Sequence, residues 1–439
     1  MLSAALFGLI VGTLTGIMPG INMLVATIVF LPFLSNMEPQ YIILWYAIVL
    51  VTHQFIGSII AVYYGVPPQE SHWATVIEGH HLYKQGKSGE VISACVIAHL
   101  ISLIICLVFI CIITKFTSSI MVYFNSNIQV LVIISTLIFI LNISNENLIV
   151  KLFIILSAFL LGFAGQYNHL YSHIGISYSN FINFTDGLPQ LPVVIGIFVI
   201  PTLLKNNKEL VKISVIKQSN LSFCRIDYIL TVIIHTLLGF IFGLTPMLTS
   251  EISAIISYRL EKYYQTYKKN YSLGNIKTIV ASESSAVSGA VVSIMPLLLF
   301  GIPITNSEAL IYSIVSSKGF IFNFSSYNNL LIPIFGCLVI VGIINYFTSG
   351  IYSHIFGKFY KILSNKSTGT IIILLIVSVM SYGYINYVFL EYLITLTIFL
   401  IIGYVCRNLN MNLFVFVFLL ANHTFDVFIR FFTLLQLKL

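Results

Sequence analysis

Charge is scarce in this sequence. Only 8% of its 439 residues are charged, against about 25% in soluble domains. That scarcity excludes a soluble globular protein, a disordered chain and a coiled coil. No Lys or Arg occurs in residues 1–83, 166–186 or 278–317. There is no CxxC pair. The six cysteines (Cys95, Cys106, Cys111, Cys224, Cys337 and Cys406) lie mostly inside apolar segments, where a thiol acts as a small buried hydrophobe. A disulfide framework is therefore not expected. The phosphate-cradling pattern GxxxxGK[ST] is missing, which removes ATP-driven transport within this chain. H-E-x-x-H and Gly-x-Ser-x-Gly are missing too, and no catalytic residue stands out. The first 17 residues are apolar, but they lack a basic n-region and the run continues past them, so no cleavable signal peptide is expected.

Apolar residues are abundant instead. They make up 58% of the chain, and the mean hydropathy is +0.99. A hydrocarbon core takes roughly 20 apolar residues per helix, so the chain has room for about 10–12 membrane segments. The expected class is an all-α polytopic membrane protein with no separate soluble domain. The net charge of +7 needs no nucleic-acid partner. Basic residues sit mostly in loops, and basic loops stay cytoplasmic. Residues 205–226 carry Lys205, Lys208, Lys212, Lys217 and Arg225, whereas 166–186 carry none. The first stretch should be inside and the second outside.

The chain reads as two related halves, 1–204 and 227–439, joined by the cytoplasmic linker 205–226. Gly12-x3-Gly16-x2-Pro19 recurs as Gly239-x3-Gly243-x2-Pro246. Gly57-Ser58 leads into Gly65-Val66-Pro67, and Gly289-Ala290 leads into Gly301-Ile302-Pro303. Residues 1–83 hold no Lys or Arg, while 205–277 hold ten. Opposite charge bias on matching segments is the mark of an inverted-topology repeat.

Small-xxx-small patterns let helices approach closely, so packing is the first reading of the glycine pairs. The Pro19-Gly20 break behind one of them adds a second. A broken helix exposes backbone groups and half-helix partial charges, and transporters hold anions and coupling ions with such ends. Pro19, Gly20 and Asn22, with Pro246 and Thr249 in the second half, are candidate site elements. Gly65, Pro67 and Ser71, and Gly301, Pro303, Thr305 and Asn306, form the second pair of breaks. Ser58, Ser284, Ser285 and Ser288 add neutral hydroxyls that suit a carboxylate or a small cation. Acidic residues in or beside apolar runs are Glu251, Glu283, Glu308, Glu391 and Asp426. Glu251 and Glu283, set among small polar residues, are the candidates for ion or proton coupling; Glu391 suits a helix start. His53, His99, His235 and His423 are isolated in apolar runs, which favours buried, hydrogen-bonded histidines over metal ligands.

In their order, these motifs resemble the large permease subunit of the tripartite tricarboxylate transporters. Gly12 to Gly20 matches that family's N-terminal Gly-x3-Gly-x2-Pro-Gly segment. Glu78-Gly79-His80-His81-Leu82-Tyr83 through Gly86 and Gly89 matches its Asp-Gly-Tyr-x5-Gly-x2-Gly stretch, with Glu for Asp. Phe184-Thr185-Asp186-Gly187 and Gly196-Ile197-Phe198 look like its mid-chain pattern. In the second half, Ser257-Tyr258-x-x-Glu261-Lys262, Ala281-Ser282-Glu283 through Gly289, and Pro296-Leu297 through Gly301-Ile302-Pro303 follow the family's order. The matches span about residues 5–320. Ala286-Val287 replaces the family's Asn-Asn pair, and Met247 and Ile304 replace two glycines.

The resemblance implies a secondary transporter in the bacterial inner membrane. Its implied cargo is a small organic carboxylate, of the tri- or dicarboxylate class, driven by Na⁺ or H⁺ and without any other cofactor. It implies two partners, a periplasmic solute-binding protein and a small four-helix membrane subunit. The alternatives are a solitary permease for another solute and a membrane-embedded lipid-handling protein or enzyme.

Overall fold

In a bilayer a chain must satisfy its own backbone hydrogen bonds, and helices do this within one segment. The computed structural model describes residues 2–18, 21–65, 67–123, 146–163, 188–201, 228–244, 249–320, 324–363, 367–385, 388–409 and 413–419, a strand pair within 176–184, and isolated positions besides. In chain order the helices are α1 (Leu2–Ile17), α2 (Met23–Val29), α3 (Leu31–Leu34), α4 (Pro39–Tyr64), α5 (His80–Lys84), α6 (Ser88–Tyr123), α7 (Leu148–Phe163) and α8 (Gln190–Val194). They continue as α9 (Ile229–Phe242), α10 (Thr249–Tyr267), α11 (Ile276–Phe300), α12 (Asn306–Ser317), α13 (Phe324–Leu363), α14 (Ser367–Ile385) and α15 (Phe389–Val405). A 3₁₀ turn (Glu70–His72) and a wide π turn (Thr75–Gly79) link α4 to α5. A two-stranded antiparallel ribbon, Ile176–Ser179 with Ile182–Phe184, departs from the helical pattern. The chain is an all-α membrane protein, with four described helices long and apolar enough to cross a bilayer and six shorter apolar ones. The linker 205–226 and most of the 166–186 loop lie outside the described residues.

Compactness divides the chain into two units, each drawn from both halves. The first is Met1–Ala26, Met37–Thr114 and Glu209–Ser367; the second is Thr27–Asn36, Lys115–Lys208 and Thr368–Leu439. In the second, Gly196 and Gly403 let two segments touch almost backbone to backbone: a Cβ at Gly196 would lie 2.8 Å from the Leu400 nitrogen. Gly162 does the same against Phe418 and Ala421.

The first unit is built around α4 and α11, both buried on nearly every side. Lipid tails are as apolar as Leu, so helices associate in a membrane through close packing. The glycine repeats supply it. Gly8, Gly12 and Gly16 form one ridge of α1 lying on Ile48, Thr52 and Ile56 of α4, and a Cβ at Gly12 would come within 2.7 Å of Thr52 Cβ. Leu2, Leu6, Ile10 and Leu14, on the other face, form an exposed apolar ridge. In the second half Gly239 lies on Ser285 and Ser288 of α11, and Gly243 on Gly289. Helices α1 and α9 thus pack onto α4 and α11 through the same repeated glycines.

Candidate functional site

Both central helices end in the same way. Gly65 closes α4 at φ 65°, ψ 25°, and Gly301 closes α11 at φ 66°, ψ 22°. This left-handed conformation is open to glycine and costly for L-residues. The Gly65 N–H returns to the Ala61 carbonyl and the Gly301 N–H to that of Leu297. A proline follows two residues on in each case, and the chain turns back.

Six and seven residues after each glycine stand a serine and a titratable residue, Ser71-His72 and Ser307-Glu308. Each pair reaches the central helix of the other half. His72 lies over Gly57 and bonds Glu283 of α11 (Nδ1 to Oε1, 3.2 Å). The Ser307 hydroxyl meets Tyr46 of α4 (2.9 Å), while Glu308 accepts from Ser293 of α11 (2.5 Å). So His72 links residue 57 to 283, and residue 46 meets 307.

Around the first break the polar groups converge. Glu283 has no exposed surface, and it also receives the Thr75 hydroxyl and His99 Nε2 (2.9 Å). Gln69 donates to Gln54 Oε1 (2.5 Å) and Ser71 Oγ (2.7 Å), and Ser71 donates to Gln54 (3.2 Å). His53 Nδ1 meets Thr15 Oγ1 (3.3 Å). Glu251, in the first turn of α10, interacts electrostatically with Glu70 and His72 and with Tyr46 of the other cluster. Buried polar atoms with no hydrogen-bond partner among the described residues include Thr52 Oγ1, His53 Nε2, Gln54 Nε2, His72 Nε2, Ser282 Oγ, Ser285 Oγ and Asn306 Oδ1.

The sequence candidates fall into three groups. Ser71 and Glu283 belong to the cluster around the first break, and Thr305 and Asn306 begin α12 beyond the second break. Ser285 and Ser288 lie where Gly239 crosses α11, and the Ser285 carbonyl also accepts from Ser253 (3.1 Å). A third group does local work. Asn22 caps α2 by accepting the Val25 N–H (3.0 Å), and Thr305 and Glu308 form a reciprocal capping box at the start of α12. Ser58, Ser284 and Ser288 donate back to carbonyls of their own helices. Thr249 is buried, and its carbonyl lies beside Gly289. Pro67 and Pro303 follow the two glycine caps. Pro19, Gly20 and Pro246 lie outside the described residues, as do His423 and Asp426. Glu391 stands in the first turn of α15, as its position suggested.

His53, His99 and His235 are buried and bonded, His235 to Glu261 at 3.2 Å. No group of three or more described His, Cys, Asp or Glu residues could hold a metal ion. Sequence reasoning missed the convergence of His72, His99 and Thr75 on Glu283, and the Gln54–Gln69 bridge. His72 is 211 residues from its partner and His99 is 184. One signal was available: at offset 236, His72 matches Glu308, one of the acidic residues beside apolar runs.

Comparison with known proteins agrees with this architecture. A protein of Agrobacterium vitis, described as an uncharacterized 52.8 kDa protein in the TAR-I ttuC' 3'region, is 23% identical over 309 residues. The match covers 69% of this chain and 61% of that protein, so the chain spans less than two thirds of its relative. No solved structure matches. The family model described as tripartite tricarboxylate transporter TctA family matches residues 2–428. The chain belongs to the tripartite tricarboxylate transporter TctA family.

Proposed function

We propose that this chain is the permease subunit of an ion-gradient-driven carboxylate transporter in the bacterial inner membrane. Its partners in this reading are a periplasmic solute-binding protein and a small four-helix membrane subunit. The observation that carries the reading is the pair of matching breaks, each reaching across to the central helix of the other half. A carboxylate needs positive potential, yet residues 1–83 and 278–317 hold no Lys or Arg. Its charge is met instead by hydroxyls and amides at the breaks and by a co-bound cation. Asn306, Ser71 and Gln54 supply neutral hydrogen-bonding groups there.

Uptake of labelled di- and tricarboxylates into cells that make the chain with its partners tests the reading. Accumulation that collapses with the ion gradient, and is lost in Asn306→Ala with membrane insertion intact, is the expected outcome. Gradient-independent hydrolysis or lipid modification in place of uptake would overturn it.

A further inference from the structure

Glu283 is a fully buried carboxylate ringed by donors. His72 and Thr75 meet Oε1, and His99 meets Oε2. An ionised carboxylate only accepts hydrogen bonds, and a neutral imidazole has one N–H and one bare nitrogen. The hydrogen-bond pattern therefore assigns the tautomers. His72 carries its proton on Nδ1, His99 carries its own on Nε2, and both point at Glu283. The remaining nitrogens, His72 Nε2 and His99 Nδ1, are basic lone pairs in a buried place, without a partner among the described residues.

In this form the trio carries one uncompensated negative charge, which is costly away from water. One proton on either bare nitrogen makes an imidazolium beside the carboxylate and brings the trio to net zero. A sodium ion suits the place poorly. Hard cations take oxygen ligands, and two of the three groups around Glu283 present nitrogen. The other titratable groups in electrostatic reach of His72 are His53 from α4 and Glu251 from α10. None of them is a fixed positive charge. Gly57 fits the same picture, because a Cβ there would overlap the His72 ring.

We infer that Glu283, His72 and His99 form a proton-binding site that holds one exchangeable proton. Resting on the transport reading above, that proton is the coupling ion. His72 links it to the cargo: the residue follows Ser71 directly, in the segment that turns back from the Gly65 break, so gain or loss of the imidazolium charge acts on the same backbone that faces the carboxylate.

The test uses the full chain in lipid nanodiscs, with no substrate or partner. Protons taken up as the pH is lowered are counted with a pH indicator, and the rings are followed by ¹⁵N-histidine resonances. Wild type is expected to bind one proton more than Glu283→Gln, at rings assigned to His72 or His99, with no effect of Na⁺. Gly57→Ala, which moves only the His72 ring, should alter the same resonance if Glu283→Gln fails to fold. Equal uptake by wild type and Glu283→Gln, or displacement of the proton by Na⁺, overturns the site. Proton binding is read here without cargo. A normal proton step beside a silent uptake assay would therefore remove the transport reading and leave the site standing.

Discussion

Glu78→Ala should free the loop between α10 and α11. Glu78 is a buried carboxylate on the π turn Thr75–Gly79. Its Oε1 accepts the hydroxyls of Tyr258 (2.9 Å) and Tyr271 (2.8 Å). Its Oε2 accepts the amides of Gly274 (2.6 Å) and Asn275 (3.2 Å), and Asn275 caps α11. Lys262 covers the cluster, 4.9 Å from the Tyr271 ring centre. Hydrogen bonds to a charged group contribute about 1.5–3 kcal/mol each, and a buried donor left without a partner costs about 1–3 kcal/mol. The two tyrosines can turn to other acceptors. The two amides are fixed by the chain, and losing their acceptor costs about 3 kcal/mol in all. At about 1.4 kcal/mol per tenfold, that is roughly a hundredfold in local opening. Hydrogen exchange at the Gly274 and Asn275 amides, read by mass spectrometry of the solubilised protein, is the assay. Glu78→Gln keeps one acceptor and should fall between. A change of less than about threefold in Glu78→Ala would refute the idea that Glu78 holds this loop.

The same cluster predicts a pH response. Burial, and then the Glu78 carboxylate, push the Tyr258 phenol well above its usual range. A raised folded value means that the stabilisation is intact below the unfolded value of about 10 and is lost as pH rises beyond it; alkaline unfolding compared between wild type and Tyr258→Phe checks this. Gly301→Ala should cost about 1–2 kcal/mol, because an L-residue is strained at φ 66°. Gly65→Ala should cost more, since the added methyl also meets the His80 ring at 2.8 Å; thermal unfolding of both variants ranks them. Cysteines at Lys208 and His169 should react oppositely with an impermeant reagent in intact cells, 169 labelled and 208 not, and the reverse would overturn the charge-derived orientation.

Much of the architecture is legible in the sequence because its signals are local or periodic. Gly12, Gly16, Gly239 and Gly243 are spaced for one helix face, and the structure places them where helices cross. Gly65-x-Pro67 and Gly301-x-Pro303 announce their left-handed caps. The Glu283 cluster was half legible: its carboxylate stands out in an apolar run, but His72 and His99 come from segments about 200 residues away, and no local pattern pairs them. Thr305 and Asn22 look like ligand groups because capping and ligand binding draw on the same side-chain chemistry. The Thr305-x-x-Glu308 spacing is itself a capping-box pattern, and it accounts for the Thr305 side chain.

The central claim is that the breaks of the two halves line one carboxylate site. Cysteine protection tests it most directly. In a cysteine-free background, Pro67→Cys and Asn306→Cys are exposed to a small thiol reagent with and without the transported carboxylate, and Lys84→Cys and Lys318→Cys serve as controls. The account predicts that cargo slows labelling at 67 and 306 and leaves 84 and 318 unchanged. Protection at 84 or 318, with 67 and 306 labelled at the same rate throughout, would contradict it.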